Sequence, residues 1–345
     1  MSKVLIIRLS SFGDVALLVP AVYSVAAKYP QDRFTVMTRK AFSPLFENLG
    51  FNINVLPLDI KKRHKGILGF FRVVRRLMPM RFTHVADEHD VLRSKVLRYF
   101  MALTGCKTAK INKERKQKNQ AILNKTLNPP QKHTINRYMD VFEKLGFPAE
   151  IIFNNFFDFV PRDFSKIKTI VPEKKGKWIG IAPFSKHKGK IYPLEKMEKV
   201  VKALSEEENT TILLFGAGKE EQRVLSLWSD KYPNIINTVG KLNMEREMLL
   251  ISYLDVMLSM DSANMHLASL VQTPVVSIWG ATHPAIGFYG YKQHPDNAVQ
   301  IELDCRPCSV YGDLPCQRGD YACLYNLSEE MVISRIHKVL NTKNI

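Results

Sequence analysis

The stretch KVLIIRLSSFGDVALLVPAVYSVAAK, residues 3–28, sets the architecture. Lys3–Leu9 is a short apolar run that leads into a polar turn, the pattern of a strand buried in a parallel sheet. Ser10-Ser11-Phe12-Gly13-Asp14 makes the turn, and Val15–Lys28, with Pro20 inside it, reads as an apolar helix. Working outward, strands are expected at Phe34–Thr38 and Ile53–Leu56, with a helix at Phe42–Leu49 between them. Strands alternating with helices in this rhythm predict a parallel, doubly wound α/β sheet. Ile67, Phe70, Phe71, Val74, Leu77 and Met78 share one helical face, with Arg72, Arg75 and Arg76 off it. Two readings of that helix stay open: a crossover packed on the sheet, or a membrane-surface helix. A strand at Thr83–Ala86 follows at once and favours the crossover.

Composition shifts over residues 151–178, where Asn154-Asn155, Pro161, Pro172 and several lysines read as an interdomain linker. A second series then begins. Strands are expected at Trp178–Ala182, Thr210–Phe215, Asp255–Ser259 and Val275–Trp279. Helices are expected at Leu194–Ser205, Glu220–Tyr232, Met244–Tyr253, Ala263–Val271 and Glu329–Leu340. A chain of 345 residues exceeds the usual single-domain range. The expected division is an N-terminal domain over 1–165, a C-terminal domain over 166–327 and a terminal helix over 328–345.

Residues 1–165 hold 28 of the 50 Lys and Arg but 13 of the 33 Asp and Glu, a balance of +15 against +2 for the remainder. The first half therefore calls for an anionic partner: nucleic acid, an anionic membrane surface or a phosphorylated substrate. Lys61, Lys62, Arg63 and Lys65 are one cluster. Residues 107–132 form another, expected to be a solvated, mobile basic segment. Residues 1–9 are too short an apolar run for a signal peptide, and no stretch reaches 18 apolar residues. The expectation is a cytoplasmic protein, peripheral to a membrane.

Four loops carry residues suited to chemistry. Arg8–Asp14 joins the first strand's carboxyl end to a helix, where doubly wound folds bind ligands. There Asp14 is either a functional carboxylate or a first-turn residue favoured by the helix dipole. Ser259-Met260-Asp261-Ser262-Ala263-Asn264-Met265-His266 runs from a strand into a helix whose N-terminus suits a diphosphate; the plain alternative is an N-cap followed by a core-facing histidine. Phe215–Glu221 is not a dinucleotide fingerprint, but a carboxylate there could bind ribose hydroxyls or cap the helix. Phe184–Pro193 places Lys186, Lys188 and Lys190 after a strand, as a phosphate clamp or as solvated charges. Cys305, Cys308, Cys316 and Cys323 give C-x2-C-x7-C-x6-C, consistent with structural zinc, reduced thiols or disulfides.

In order and spacing, RLSSFGD, KIYP, GAGKEE, MDSANMHLA and WGATHPAIGFYG resemble the lipopolysaccharide heptosyltransferases of glycosyltransferase family 9, over nearly the whole chain. The resemblance implies a GT-B fold, two Rossmann-like doubly wound domains facing each other across a cleft. It implies inverting transfer of a heptose from ADP-heptose to the inner core of lipopolysaccharide, with Asp14 as base. Lys190 matches the lysine on the donor phosphate and Glu220 the ribose-binding carboxylate. Asp261, Ser262, Ala263 and His266 match the donor-site turn, while Ser10, Ser11, Gly13 and Arg93 would lie toward the acceptor. No cofactor or catalytic metal is implied. The partners implied are the nucleotide sugar, a phosphorylated glycolipid and the anionic inner leaflet, with no nucleic acid. Val85-Ala86-Asp87-Glu88-His89 departs from the family's usual strand ending in Asp-Leu-Gln. The alternatives are a related GT-B enzyme using another nucleotide sugar, or a non-catalytic protein that binds anionic lipid or nucleic acid.

Overall fold

A computed structural model describes residues 1–60 and 62–342, so Lys61 lies outside the described residues. Two compact units emerge: residues 1–113 with 132–161, and residues 114–131 with 162–345.

In the first unit β1 (Lys3–Ile7), α1 (Phe12–Lys28), β2 (Arg33–Arg39), β3 (Ile53–Leu58), α2 (Gly66–Leu77), β4 (His84–Asp87), α3 (Leu92–Leu103) and β5 (Lys107–Lys110) alternate. Their sheet is parallel throughout, in the order β3-β2-β1-β4-β5. β1 is central, which explains its unbroken apolar run: Val4, Leu5, Ile6 and Ile7 are all fully buried. Leu5 and Ile7 face α2 and α3, joining Val73, Val74, Leu77, Leu97 and Met101 in one core. α4 (Arg115–Leu123) belongs to the other unit, and α5 (Thr134–Leu145) returns to pack on α1.

The second unit continues with β6 (Lys177–Ala182), α6 (Leu194–Ser205), β7 (Thr210–Leu214), α7 (Lys219–Lys231), β8 (Ile235–Asn237), α8 (Met244–Ile251), β9 (Val256–Met260), α9 (Ala263–Leu270), β10 (Val275–Ile278), β11 (Ala298–Val299), α10 (Ala322–Tyr325) and α11 (Glu329–Thr342). Its sheet, also parallel, runs β11-β10-β9-β6-β7-β8. Both units are thus Rossmann-like, with the strand order reversing beside the first strand.

Several expectations are corrected. The helix expected at Phe42–Leu49 is a 3-10 turn over Lys40–Leu45, with Pro44 inside it. By compactness the chain passes into the second unit for good at residues 161–162, after 114–131 has already joined it. The terminal helix is not a separate piece, since Val332, Ile336, Val339 and Leu340 of α11 enter the second unit's core. The 107–132 segment is not a loose basic run. Lys107–Lys110 is an edge strand of the first sheet, and 114–131 folds onto the second unit. There the ammonium of Lys118 is buried 3.8 Å from the centre of the Phe288 ring. Lys125 donates to the carbonyls of Cys305 and Pro307, both at 3.1 Å, and the Gln131 N–H donates to the Ala285 carbonyl. No helix among the described residues is long and apolar enough to cross a membrane.

Candidate functional site

Two sites stand at carboxyl ends of strands, one in each unit. In the first, the chain leaves β1 at Arg8 and enters α1 at Phe12, so Asp14 falls in the helix's first turn. Its Oδ2 accepts from the Ser11 N–H at 3.1 Å and the Ser11 hydroxyl at 2.6 Å, and pairs with Arg8 Nη2 at 2.6 Å. Asp14 thus closes the helix start with Ser11 and is held by a cation. Burial alone would push its pKa up; the Arg8 charge and the Ser11 bonds outweigh that and hold it at about 2. Asp14 is ionised throughout the physiological range.

Arg8 organises the surroundings. Its guanidinium is buried, donates to the Glu88 carbonyl and lies over the Tyr138 ring. Tyr138 in turn donates its hydroxyl to the Asp14 carbonyl at 3.0 Å. Ser10 is hydrogen-bonded to His89 Nε2 at 3.1 Å. Burial, reinforced by Arg8 and Lys113, holds His89 neutral, at about 3. Asp87 is structural: it pairs with Arg98 at 2.6 Å and accepts the backbone N–H groups of His89 and Asp90. Glu88 is fully buried, and neither carboxyl oxygen has a hydrogen-bond partner among the described residues. Burial, with Asp87 and Asp140 adding to it against Arg8, pushes its pKa well above the usual carboxylate range and favours the neutral acid. Arg93 has a further setting on α3. It lines a small apolar cavity with Leu9, Leu58, Phe70 and Leu97, on the sheet face that α2 and α3 cover.

In the second unit, Lys190 reaches Asp261 Oδ2 at 2.7 Å, and the Thr282 hydroxyl donates to the same oxygen at 2.8 Å. Two glycines make room for this. A Cβ on Gly280 would lie 2.6 Å from the Gly189 carbonyl, and one on Gly312, at φ +68°, would lie 2.8 Å from Lys190 Cγ. Arg306 fixes the same loops: it is buried and donates to the carbonyls of Gly280, Ile301 and Thr282 and to Gln300. Lys186 and Lys188, by contrast, are exposed. Asp261 is followed at once by Ser262, the N-cap of α9, whose hydroxyl is hydrogen-bonded to Ser259 at 3.2 Å instead of capping the helix. The first amides of α9, from Ala263 on, are thus not closed by a side-chain cap, and a helix start of this kind suits an anion. His266 is buried one turn along. At the start of α7 Glu221 reaches back past the Gly218 N-cap to accept the Ala217 N–H at 2.7 Å, and Glu220 stays exposed beside it.

All five cysteines are free thiols, and among the described residues no group of three or more His, Cys, Asp or Glu is arranged to hold a metal ion. Burial raises Cys308 and pushes Cys323 up to about 11, favouring the protonated thiol.

Sequence reasoning quoted Arg8 without a role and passed over Tyr138, Thr282 and Arg306. Arg8 carried a signal, a cation one residue past a buried strand; the other three are brought in by tertiary packing.

Residues 70–315 match the model of glycosyltransferase family 9 (heptosyltransferase). The lipopolysaccharide core heptosyltransferase OpsX of Haemophilus influenzae is 24% identical over 290 residues, 81% of this chain and 79% of that protein. The fold is similar to that of a glycosyl transferase family 9 protein from Veillonella parvula, at TM-score 0.74 and 17% identity, covering 99% of this chain and 98% of that one. It is similar also to E. coli heptosyltransferase WaaC with ADP, at TM-score 0.68 and 18% identity, covering 98% and 99%.

Proposed function

Because the chain belongs to glycosyltransferase family 9 and has the two Rossmann-like units of the GT-B fold, we propose that this glycosyltransferase moves a heptose from ADP-heptose to the inner core of lipopolysaccharide, with inversion. The observation that carries the reading is the Lys190–Asp261 pair set directly before the uncapped start of α9. An ammonium has three donors; Asp261 holds one and aims the group, leaving the others for a diphosphate. As the bond to the sugar breaks, negative charge grows on departing ADP, and Lys190 with the α9 amides stabilises it. Glu220, not engaged in the α7 cap, is free to accept from ribose hydroxyls.

Asp14 supplies the other half. An acceptor hydroxyl is a poor nucleophile at neutral pH, and a positioned carboxylate takes its proton as the new bond forms. Ser10, Ser11 and Gly13 lie beside Asp14 and would contact the acceptor. The acceptor would be a phosphorylated glycolipid, and on this reading the enzyme works at the cytoplasmic face of the inner membrane.

A nucleotide panel tests the donor. ADP should raise Tm far more than UDP or GDP at equal concentration, and it should do so in EDTA, because a lysine and a helix start do the electrostatic work. A larger shift with UDP or GDP would support a GT-B enzyme using another nucleotide sugar. A strict need for Mg²⁺ or Mn²⁺ would contradict the mechanism.

The pH profile tests Arg8. With Asp14 held at about 2, kcat/KM should show no acid limb from this group between about pH 5 and 8. Arg8→Met removes the cation and leaves burial dominant, so the pKa of Asp14 rises. Protonation then removes the base as pH falls, and kcat/KM should drop on the acid side. A pH profile unchanged from wild type would show that Arg8 does not tune Asp14.

A further inference from the structure

α2 and α3 cover the same face of the first sheet and share one core. Their inward positions are accounted for: Phe70, Val73, Val74 and Leu77 from α2, and Leu97 and Met101 from α3. Their outward positions carry large apolar side chains where a surface helix is expected to be polar, along the whole of α3 and beside the arginines of α2. On α3, Leu92, Val96, Tyr99 and Leu103 are 80%, 45%, 66% and 87% exposed, spaced i, i+4, i+7 and i+11 along one side. On α2, Leu68 and Phe71 are 73% and 61% exposed. α3 therefore carries two apolar stripes, of which the fold uses one.

Charge on this face has one sign. No acidic residue occurs between Asp59 and Asp87, or between Asp90 and Glu114. Lys62, Arg63, Lys65, Arg72, Arg75 and Arg76 are exposed in and before α2. Asp90, at the foot of α3, is already paired with Arg98 and Lys110. An apolar stripe rimmed by cations opposes a second copy of itself through like-charge repulsion, but it matches a bilayer with anionic headgroups.

We propose that the outer faces of α2 and α3 are the surface by which this protein docks on an anionic membrane. Leu92, Tyr99, Leu103, Leu68 and Phe71 enter the headgroup boundary, and the arginines of α2 meet the lipid phosphates. This deepens the proposed function and rests on it, since it supplies the approach to a lipid-borne acceptor. It also moves the lipid contact away from residues 114–131, which the second unit engages.

The test uses the full-length protein with vesicles of phosphatidylcholine, alone or mixed with phosphatidylglycerol, sedimented at low and high salt. Wild type should pellet with the anionic vesicles at low salt and be largely released at high salt. Leu92→Gln with Leu103→Gln should weaken binding at least tenfold while leaving Tm and the ADP shift unchanged. Arg72→Gln, Arg75→Gln and Arg76→Gln together should do the same, at roughly fivefold per cation. Arg115→Gln with Lys116→Gln on α4 should change little. In Leu103→Trp, emission should shift to the blue on adding anionic vesicles. The proposal is overturned if wild type stays in the supernatant at low salt, if the Leu92/Leu103 variant pellets like wild type, or if that variant instead breaks a dimer without altering vesicle binding. Turnover of a deacylated, water-soluble acceptor separates this from the activity: the variants should match wild type there. Loss of heptose transfer by every form would count against the proposed function and leave the vesicle result standing.

Discussion

Asp14→Asn is expected to lower kcat by roughly 100-fold or more, the usual scale for loss of a general base, while ADP raises its Tm as it does for wild type. An asparagine oxygen can still accept from Ser11 and from Arg8, so the turn between β1 and α1 keeps its shape. What disappears is the ability to take a proton. Arg8 keeps the Glu88 carbonyl and the Tyr138 ring but loses its counter-charge, so Tm should fall by the cost of leaving a buried guanidinium without an anion, while the ADP response persists. Donor binding is unaffected on this account because its residues belong to the other unit. Turnover near the wild-type rate would remove Asp14 from the mechanism. A loss of ADP response together with turnover would mean that the substitution damages the fold.

Lys190→Ala is expected to lower kcat/KM for the donor by about 100- to 1,000-fold, the range seen when one preorganised donor to developing negative charge is removed. The ADP-induced rise in Tm should shrink as well, because the lysine contacts the diphosphate in ground state and transition state alike. The substitution also leaves Asp261 with only the Thr282 hydroxyl on its Oδ2, placing an uncompensated carboxylate where a diphosphate must arrive. Lys190→Arg should recover part of the loss by restoring charge. Lys186→Ala and Lys188→Ala, on exposed side chains, should each cost far less. Equal losses at all three positions would show a diffuse electrostatic effect rather than a built site.

Both sites were legible in outline because each follows a buried apolar strand with a short polar turn, and the periodicity of the flanking elements is unambiguous. The choice among neighbours was not legible. Glu220 and Glu221 are adjacent at the start of α7, and only the fold shows that Glu221 takes the Ala217 N–H and leaves its neighbour exposed. Of three lysines after β6, Lys190 is the one seen paired with a carboxylate among the described residues, and that carboxylate lies on a different strand-to-helix turn. Lys118 was read as solvated because nothing near it in sequence could receive a buried ammonium; its partner is the ring of Phe288. The 3-10 turn at Lys40–Leu45, with Pro44 inside it, was masked by the apolar residues around it. The outward stripe of α3 was readable from its spacing alone, yet it signals packing and docking equally, and burial is needed to tell which stripe faces the core.

The most direct measurement of the central claim is transfer itself: the purified protein with ADP-heptose and an inner-core acceptor, in EDTA, with the glycan product identified by mass spectrometry and its anomeric configuration by NMR. The account predicts that one heptose is added with inversion and one ADP released per transfer, and that Asp14→Asn slows product formation without abolishing ADP binding. Transfer from a UDP- or GDP-sugar in preference to ADP-heptose, retention of configuration, or full activity in Asp14→Asn would contradict it.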